Sequence, residues 1–318
     1  MERVSAHIRL ALLAGSPISI MPYLATLAPA PPARVQAAPG DAALADLTWL
    51  NIADMLSAFG LRPGVPLRSL AELACRWPAR RFARQMLELD ARVAAEGLAA
   101  GGAWICGRLS QGLELRGPPP PARGPLLVVA NHPGLLDAAA LFAAIPRNDL
   151  RVLAITRPFL RALPGIAAHL IPVGTTPAAR TAALRMAARH LRSGGALLSF
   201  PAGRIEPDPL RLPGAAASVA HWSTSVDTLA RLADKVTVLP AIVGGVLAPG
   251  ALRHPLLRLR RTPADRQWLA AILQLAVPRL RRTVVRVQLG TPIVASGGPL
   301  SVAVAAEARR LIREVARP

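Results

Sequence analysis

Apolar residues recur along this chain with two different periods. Between residues 41 and 109 the spacing is helical. Leu44, Leu47, Leu50, Met55, Leu56 and Phe59 predict a helix that Asp41 or Asp46 can cap and that Gly60 and Pro63 end. Pro66 to Trp77 predicts a short second helix. Ala79 to Ala99 predicts a longer one, in which Arg80, Arg81, Arg84 and Arg92 run beside Phe82, Met86, Leu87 and Val93. Such a basic amphipathic helix either covers a core beneath a solvated face or lies in a membrane surface. Gly101-Gly102 breaks that pattern, and Pro118 to Pro121 form a stiff spacer.

From about residue 110 short apolar runs alternate with helical segments. Strands are predicted at Leu113–Arg116, Leu126–Ala130, Arg151–Ile155, Leu170–Val173, Ala196–Phe200, Val236–Ile242 and Thr283–Leu289. Helices are predicted at Leu135–Ile145, Pro177–Arg192, Trp222–Ala233, Pro263–Ala276 and Leu300–Ala316. Alternation of this kind predicts an α/β fold with a mostly parallel central sheet flanked by helices. The chain then divides into an apolar leader and Pro/Ala-rich linker over 1–40, a helical region over 41–109 and the α/β domain over 110–318.

Composition adds a surface to this plan. The 318 residues carry 38 Lys+Arg against 18 Asp+Glu, a net charge of +20, and 52% are hydrophobic. A basic, apolar chain suits an anionic membrane surface. Lys235 is its only lysine, so a compositional bias towards arginine supplies part of that charge by itself. No basic run is interleaved with stacking aromatics, which argues against nucleic acid. Cys75 and Cys106 have no metal-ligand spacing and no redox motif, so neither a metal nor a cofactor is expected. In the leader, Leu10 to Ala30 is apolar after Arg3, His7 and Arg9, but Gly15, Ser16, Pro17 and Pro22 interrupt it. It reads as an interfacial anchor rather than a span, with a signal peptide and a plain leader as alternatives.

The candidate chemistry sits where two predicted strands end. Leu126–Ala130 runs into Asn131-His132-Pro133-Gly134, and Asp137 follows five positions after His132. Across a turn, that spacing lets a carboxylate hold one ring nitrogen while the other stays free, the requirement for an oriented general base. Asn131 and Asp137 are also ordinary helix caps, so the spacing alone leaves both readings open. The second strand end is Phe200-Pro201-Ala202-Gly203-Arg204, where Gly203 permits close backbone approach and Arg204 can fork onto a phosphate. The chain has no Gly-x-Ser-x-Gly elbow, phosphate-binding P-loop or dinucleotide fingerprint. Direct transfer to a hydroxyl is therefore favoured over a covalent intermediate.

Taken together, these blocks resemble the glycerolipid acyltransferases, the family of 1-acylglycerol-3-phosphate acyltransferases. Asn131 to Asp137 is similar to the family's His-x4-Asp block, and Phe200 to Arg204, about 70 residues on, to its Phe-Pro-Glu-Gly-x-Arg block. Leu163-Pro164-Gly165 through Leu170–Val173, Val238–Ile242 and Val287–Ile293 resemble further blocks in family order, so the likeness spans about residues 110–316.

The resemblance implies the family's fold and an O-acyltransferase using acyl-CoA or acyl carrier protein as donor and a lysophospholipid as acceptor. His132 is then the base and Asp137 its orienting acid. Asn131, Gly134, Arg157, Phe200, Pro201, Gly203, Arg204 and Pro240 are the expected substrate-binding residues. Backbone N–H groups at the start of the Leu135 helix are expected to steady the oxyanion. The implied location is the cytoplasmic face of the inner membrane. Two departures bear on the acceptor. Ala202 stands where the family commonly has Glu, as in its hemolysin-like branch, with Glu206 nearby. Gly174-Thr175-Thr176 stands where an arginine usually follows the middle block. A lyso-aminolipid acceptor, or a degenerate member that only binds lipid, is the alternative.

Overall fold

The computed structural model describes residues 39–317, except 65, 66, 156, 234 and 295–298. The leader and nearly all of the linker expected over 1–40 lie outside these. Three helices come first: α1 (Pro39–Phe59), α2 (Arg68–Glu96) and α3 (Leu98–Leu109). Strand β1 (Gly112–Arg116) and β2 (Leu126–Ala130) lead to α4 (Asp137–Ala144) and β3 (Arg151–Ile155). Two single-turn helices, α5 (Pro158–Arg161) and α6 (Pro164–Ala167), precede β4 (Leu170–Val173), α7 (Pro177–Arg192) and β5 (Ala196–Ser199). Next come α8 (Ala215–Ser218), α9 (Ser225–Ala233), β6 (Thr237–Gly244) and α10 (Pro249–Leu252). The chain closes with α11 (Pro263–Ala276), β7 (Val284–Leu289), β8 (Ile293–Val294) and α12 (Leu300–Val315).

The strands form one sheet in the order β1-β7-β6-β2-β5-β3-β4, with β8 also pairing β6. Five of the pairings on this path are parallel, while β6 meets β7 antiparallel. The α/β expectation therefore holds. All five residues of β2 are buried, as expected of a strand covered on both faces. Alternate side chains feed two cores. Leu126 and Val128 join Leu47 and Met55 of α1, Ala83 and Val93 of α2, and Ile105 of α3. Leu127 and Val129 join Ala187 and Leu191 of α7, Leu229 of α9 and Val304 of α12.

Local chemistry explains most element ends. The Thr176 side chain accepts the Ala179 N–H to cap α7, and Thr262 does the same for α11 through Asp265. The helices depart from the sequence expectation in three places. Trp77 does not end a helix, because α2 runs unbroken through Pro78. An internal proline costs a helix ~3 kcal/mol. The buried stripe Cys75, Ala79, Ala83, Met86, Val93 offsets it. Gly101-Gly102, expected to break the pattern, lies inside α3. A Cβ on Gly102 would stand 2.3 Å from the Ala139 carbonyl oxygen, and one on Gly101 2.4 Å from Val93 Cγ2. These glycines let α3 press against α4 and α2. Finally, the helix expected from Leu135 starts at Asp137, because Gly134 and Leu135 take φ of 86° and 60°.

Candidate active site

Strands β2 and β5 are parallel neighbours, with Val129 opposite Ser199. The loops after them, Asn131–Leu136 and Phe200–Arg204, therefore leave the same edge of the sheet side by side. That edge lies at the carboxyl ends of the strands, where α/β sheets bind ligands. Chain connections leave β2 towards β3 on one side while β6 flanks it on the other, which opens a crevice there.

Asn131 anchors the first loop. Its buried side chain donates to the Val243 carbonyl at 2.9 Å and accepts the Val243 N–H at 2.7 Å, extending the ladder by one step towards β6. His132 follows, with Nδ1 2.7 Å from Asp137 Oδ2. The same Asp137 oxygen accepts the Gly134 N–H at 2.7 Å, and Oδ1 accepts the Ala138 N–H at 2.6 Å. One carboxylate thus orients the imidazole and binds two N–H groups around the start of α4, while Asn131 bonds Val243 and caps no helix. Left-handed φ at Leu135 is unfavourable for a residue with a Cβ. Gly134 and Leu135 together fold the loop back so that Asp137 reaches His132. The side chain of Asp137 is 3% exposed and that of His132 31%. The ring is held on its buried side while Nε2, which makes no hydrogen bond among the described residues, remains available. Phe200 packs its ring 4.6 Å from the imidazole.

Burial alone would lower the His132 pKa. The charge and hydrogen bond of Asp137, with the charge of Glu206, outweigh it and raise the pKa above the ordinary 6.5, while Arg157 acts in the opposite sense.

Glu206 is the residue whose part the sequence did not disclose. Its Oε2 accepts the His132 N–H at 2.9 Å, and its own N–H donates to the His132 carbonyl at 2.8 Å. Its Oε1 accepts from Ser218 Oγ at 2.7 Å and Trp222 Nε1 at 2.8 Å. Gln267 of α11 donates to the carbonyls of Glu206 and Pro133. Glu206 is 2% exposed. It locks the two loops together rather than presenting a carboxylate to a ligand, as a substitute for the missing acid at Ala202 would. Nothing in the sequence marks it beyond a lone acid near a motif, and Gln267 arrives from 61 positions further on.

The remaining expected site residues fall into two groups. Gly203 is exposed at φ 61° in a turn closed by its N–H to the Phe200 carbonyl at 3.1 Å, and Arg204 beside it is half-buried. Among the described residues Arg204 makes no hydrogen bond or ion pair. Arg157 is exposed at the start of α5. These can meet a ligand. Asn131, Gly134 and Pro201 are buried and build the loops instead. Pro240 is also buried, within β6 opposite Val129. Its carbonyl accepts the Gly290 N–H where β7 gives way to β8, so the missing proline N–H faces a bend and costs no ladder bond. Its contacts among the described residues are with the sheet, and no substrate contact is seen for it. Of the backbone N–H groups around the start of the Leu135 helix, where oxyanion donors were expected, those of Gly134 and Ala138 are bonded to Asp137.

Arg157 also lines a cavity of about 200 Å³ with Asn51, Asp54, Met55, Phe82, Phe159, Trp268, Ile272 and Leu275. Burial pushes the Asp54 carboxyl up to about 6, against the pull of Arg157.

No helix among the described residues is long and apolar enough to cross a membrane, and no cluster of metal-ligating side chains is found among them. No curated protein matches the chain. It is similar to the crystal structure of PlsC, the 1-acyl-sn-glycerophosphate (LPA) acyltransferase of Thermotoga maritima, at 19% identity and a TM-score of 0.40, over 86% of this chain and 94% of that one. A family model described as Acyltransferase matches residues 113–244, a span that contains β2, β5, His132, Asp137 and the Phe200–Arg204 loop. Residues 113–244 are thus similar to the acyltransferases, and that similarity supports an acyltransferase enzyme.

Proposed function

We propose that the protein is a membrane-surface O-acyltransferase that moves a fatty acyl group from the thioester of acyl-CoA or acyl carrier protein to a hydroxyl of a lysophospholipid, 1-acylglycerol-3-phosphate being the type acceptor. The observation that carries this reading is the 2.7 Å contact of His132 Nδ1 with buried Asp137, which leaves Nε2 without a hydrogen-bond partner among the described residues. Nε2 takes the proton of the acceptor hydroxyl as its oxygen attacks the thioester carbonyl. The tetrahedral intermediate collapses with loss of the C–S bond, and the imidazolium returns the proton to the thiolate. Asp137 keeps the tautomer and stabilises the cation. Gly203, Arg204 and Arg157 are the groups able to hold anionic parts of the two substrates.

The membrane face of this reading rests on α2. Leu70, Leu73 and Trp77 fall on one helical face and are 67%, 62% and 68% exposed. Exposed Arg76, Arg80 and Arg84 lie along the same face, and Arg81 stacks over Trp77 at 5.5 Å. Apolar side chains flanked by arginine suit the interface of an anionic bilayer, and this supports the reading of a protein held at the cytoplasmic face of the inner membrane. This patch precedes the Ala79–Ala99 segment, whose amphipathic pattern left a core-covering face and a membrane face both open. There the apolar stripe is buried in the core. The deciding test is His132→Ala, assayed for acyl transfer from acyl-CoA to lysophosphatidate. Loss of about 10²–10⁴ in kcat is expected. Activity that survives undiminished overturns the mechanism.

A further inference from the structure

The cavity behind Arg157 holds two opposite charges that do not meet. Asp54 enters from α1 and Arg157 from the segment after β3. Neither makes a hydrogen bond or ion pair among the described residues. A half-buried carboxylate is normally satisfied, because leaving it without a partner is costly. Asn51 lines the same space; its amide nitrogen donates to the Ala79 carbonyl at 3.2 Å, which leaves its own carbonyl oxygen as an acceptor. The rest of the wall is apolar: Met55, Phe82, Phe159, Trp268, Ile272 and Leu275. Phe82 and Phe159 stack at 6.4 Å. Arg157 and Trp268 are the exposed members and mark the open side. Gln267, next to Trp268 in α11, bonds the Pro133 carbonyl of the His132 loop, so α11 links that side to the loop.

We propose that this cavity is a head-group site for a zwitterionic lysolipid acceptor, Asp54 and Asn51 receiving a primary ammonium and Arg157 the neighbouring anion. The inference deepens the acyltransferase reading and rests on it. An ammonium supplies N–H donors to the two acceptors that lack them, and its charge meets the Asp54 carboxylate in a place shielded from water. A purely anionic acceptor such as 1-acylglycerol-3-phosphate would have its phosphate set against Asp54, so this site narrows the proposed acceptor from that type to a zwitterionic one. Asp54 lies outside the acyltransferase domain of residues 113–244. The choice of acceptor is then made jointly by the domain and by the helical region before it.

The test separates binding from turnover. Binding of soluble glycerophosphoethanolamine and glycerophosphate to the full chain is measured by calorimetry for the wild type, Asp54→Asn and Asp54→Glu. The wild type is expected to favour glycerophosphoethanolamine. Asp54→Asn, which keeps the shape and removes the charge, is expected to lower that preference about tenfold or more, the scale of one charged hydrogen bond, and Asp54→Glu to retain most of it. Equal preference in wild type and Asp54→Asn, or tighter binding of glycerophosphate by the wild type, overturns the inference. Acylation of 1-oleoylglycerophosphoethanolamine and 1-oleoylglycerophosphate is read separately. Head-group preference without transfer to either lipid would count against the acyltransferase reading and leave the site standing.

Discussion

Replacing Glu206 by Gln tests the least obvious part of the site. The carboxylate takes three buried donors: the His132 N–H on Oε2, and Ser218 Oγ and Trp222 Nε1 on Oε1. An amide has one carbonyl oxygen. If that oxygen stays with Ser218 and Trp222, the new NH2 points at the His132 N–H, donor against donor. If it turns over, two donors are left unmet instead of one. One unmet buried donor costs ~1–3 kcal/mol. The variant should therefore lose ~2 kcal/mol of stability and a few degrees in melting temperature. A second effect is electrostatic. Glu206 is one of the negative charges that raise the His132 pKa, so its removal should shift the midpoint of the kcat/KM–pH profile to lower pH. The rising limb itself reflects deprotonation of the base, with a midpoint above the ordinary 6.5 in the wild type. Well above both midpoints, any remaining loss of kcat/KM measures displacement of the ring. Calorimetric melting and acyl-transfer rates over roughly pH 5–9 supply both readouts. A Gln variant with wild-type melting and an unshifted profile would show that Glu206 neither holds the loop nor acts on His132.

Three other variants probe separate features. Asp137→Asn removes the acceptor for both His132 Nδ1 and the Gly134 N–H; kcat should fall by about 10²–10⁴ with little change in KM, read by initial rates. Gly102→Val should destabilise by ~1–3 kcal/mol or more in urea unfolding, because its Cβ meets the Ala139 carbonyl at 2.3 Å, while kcat in the folded fraction stays at the wild-type level. Trp77→Glu with Leu73→Glu should weaken flotation with anionic vesicles without altering the melting temperature, since both side chains are exposed. The raised His132 pKa also fixes a sign for stability. Its protonated form is favoured by the fold, so that contribution is complete below the ordinary 6.5 and disappears as pH rises through the folded value. The gap in melting temperature between wild type and His132→Gln should accordingly be constant below 6.5 and shrink as pH rises through the folded value.

Periodicity by itself determined the strands and long helices from residue 112 onward, because buried parallel strands and capped helices write their patterns locally: α7 and α11 have the bounds that Thr176, Pro177, Thr262 and Pro263 announce. It also determined that His132 and Asp137 stand at a strand end, since their spacing is short. What it left undecided depends on partners distant in the chain. Pro78 and Gly101-Gly102 are helix breakers by propensity, yet packing against α1, α4 and the sheet carries helices through them. Pro240 is in the family's pattern, but only the sheet order reveals that it is walled in between β2 and the β7–β8 bend. Glu206, Gln267 and Asp54 are single polar residues without a motif. Their parts come from folding loops and helices 61 and 74 positions apart onto one crevice, a distance over which a hydrogen-bond partner leaves no periodic trace in the sequence.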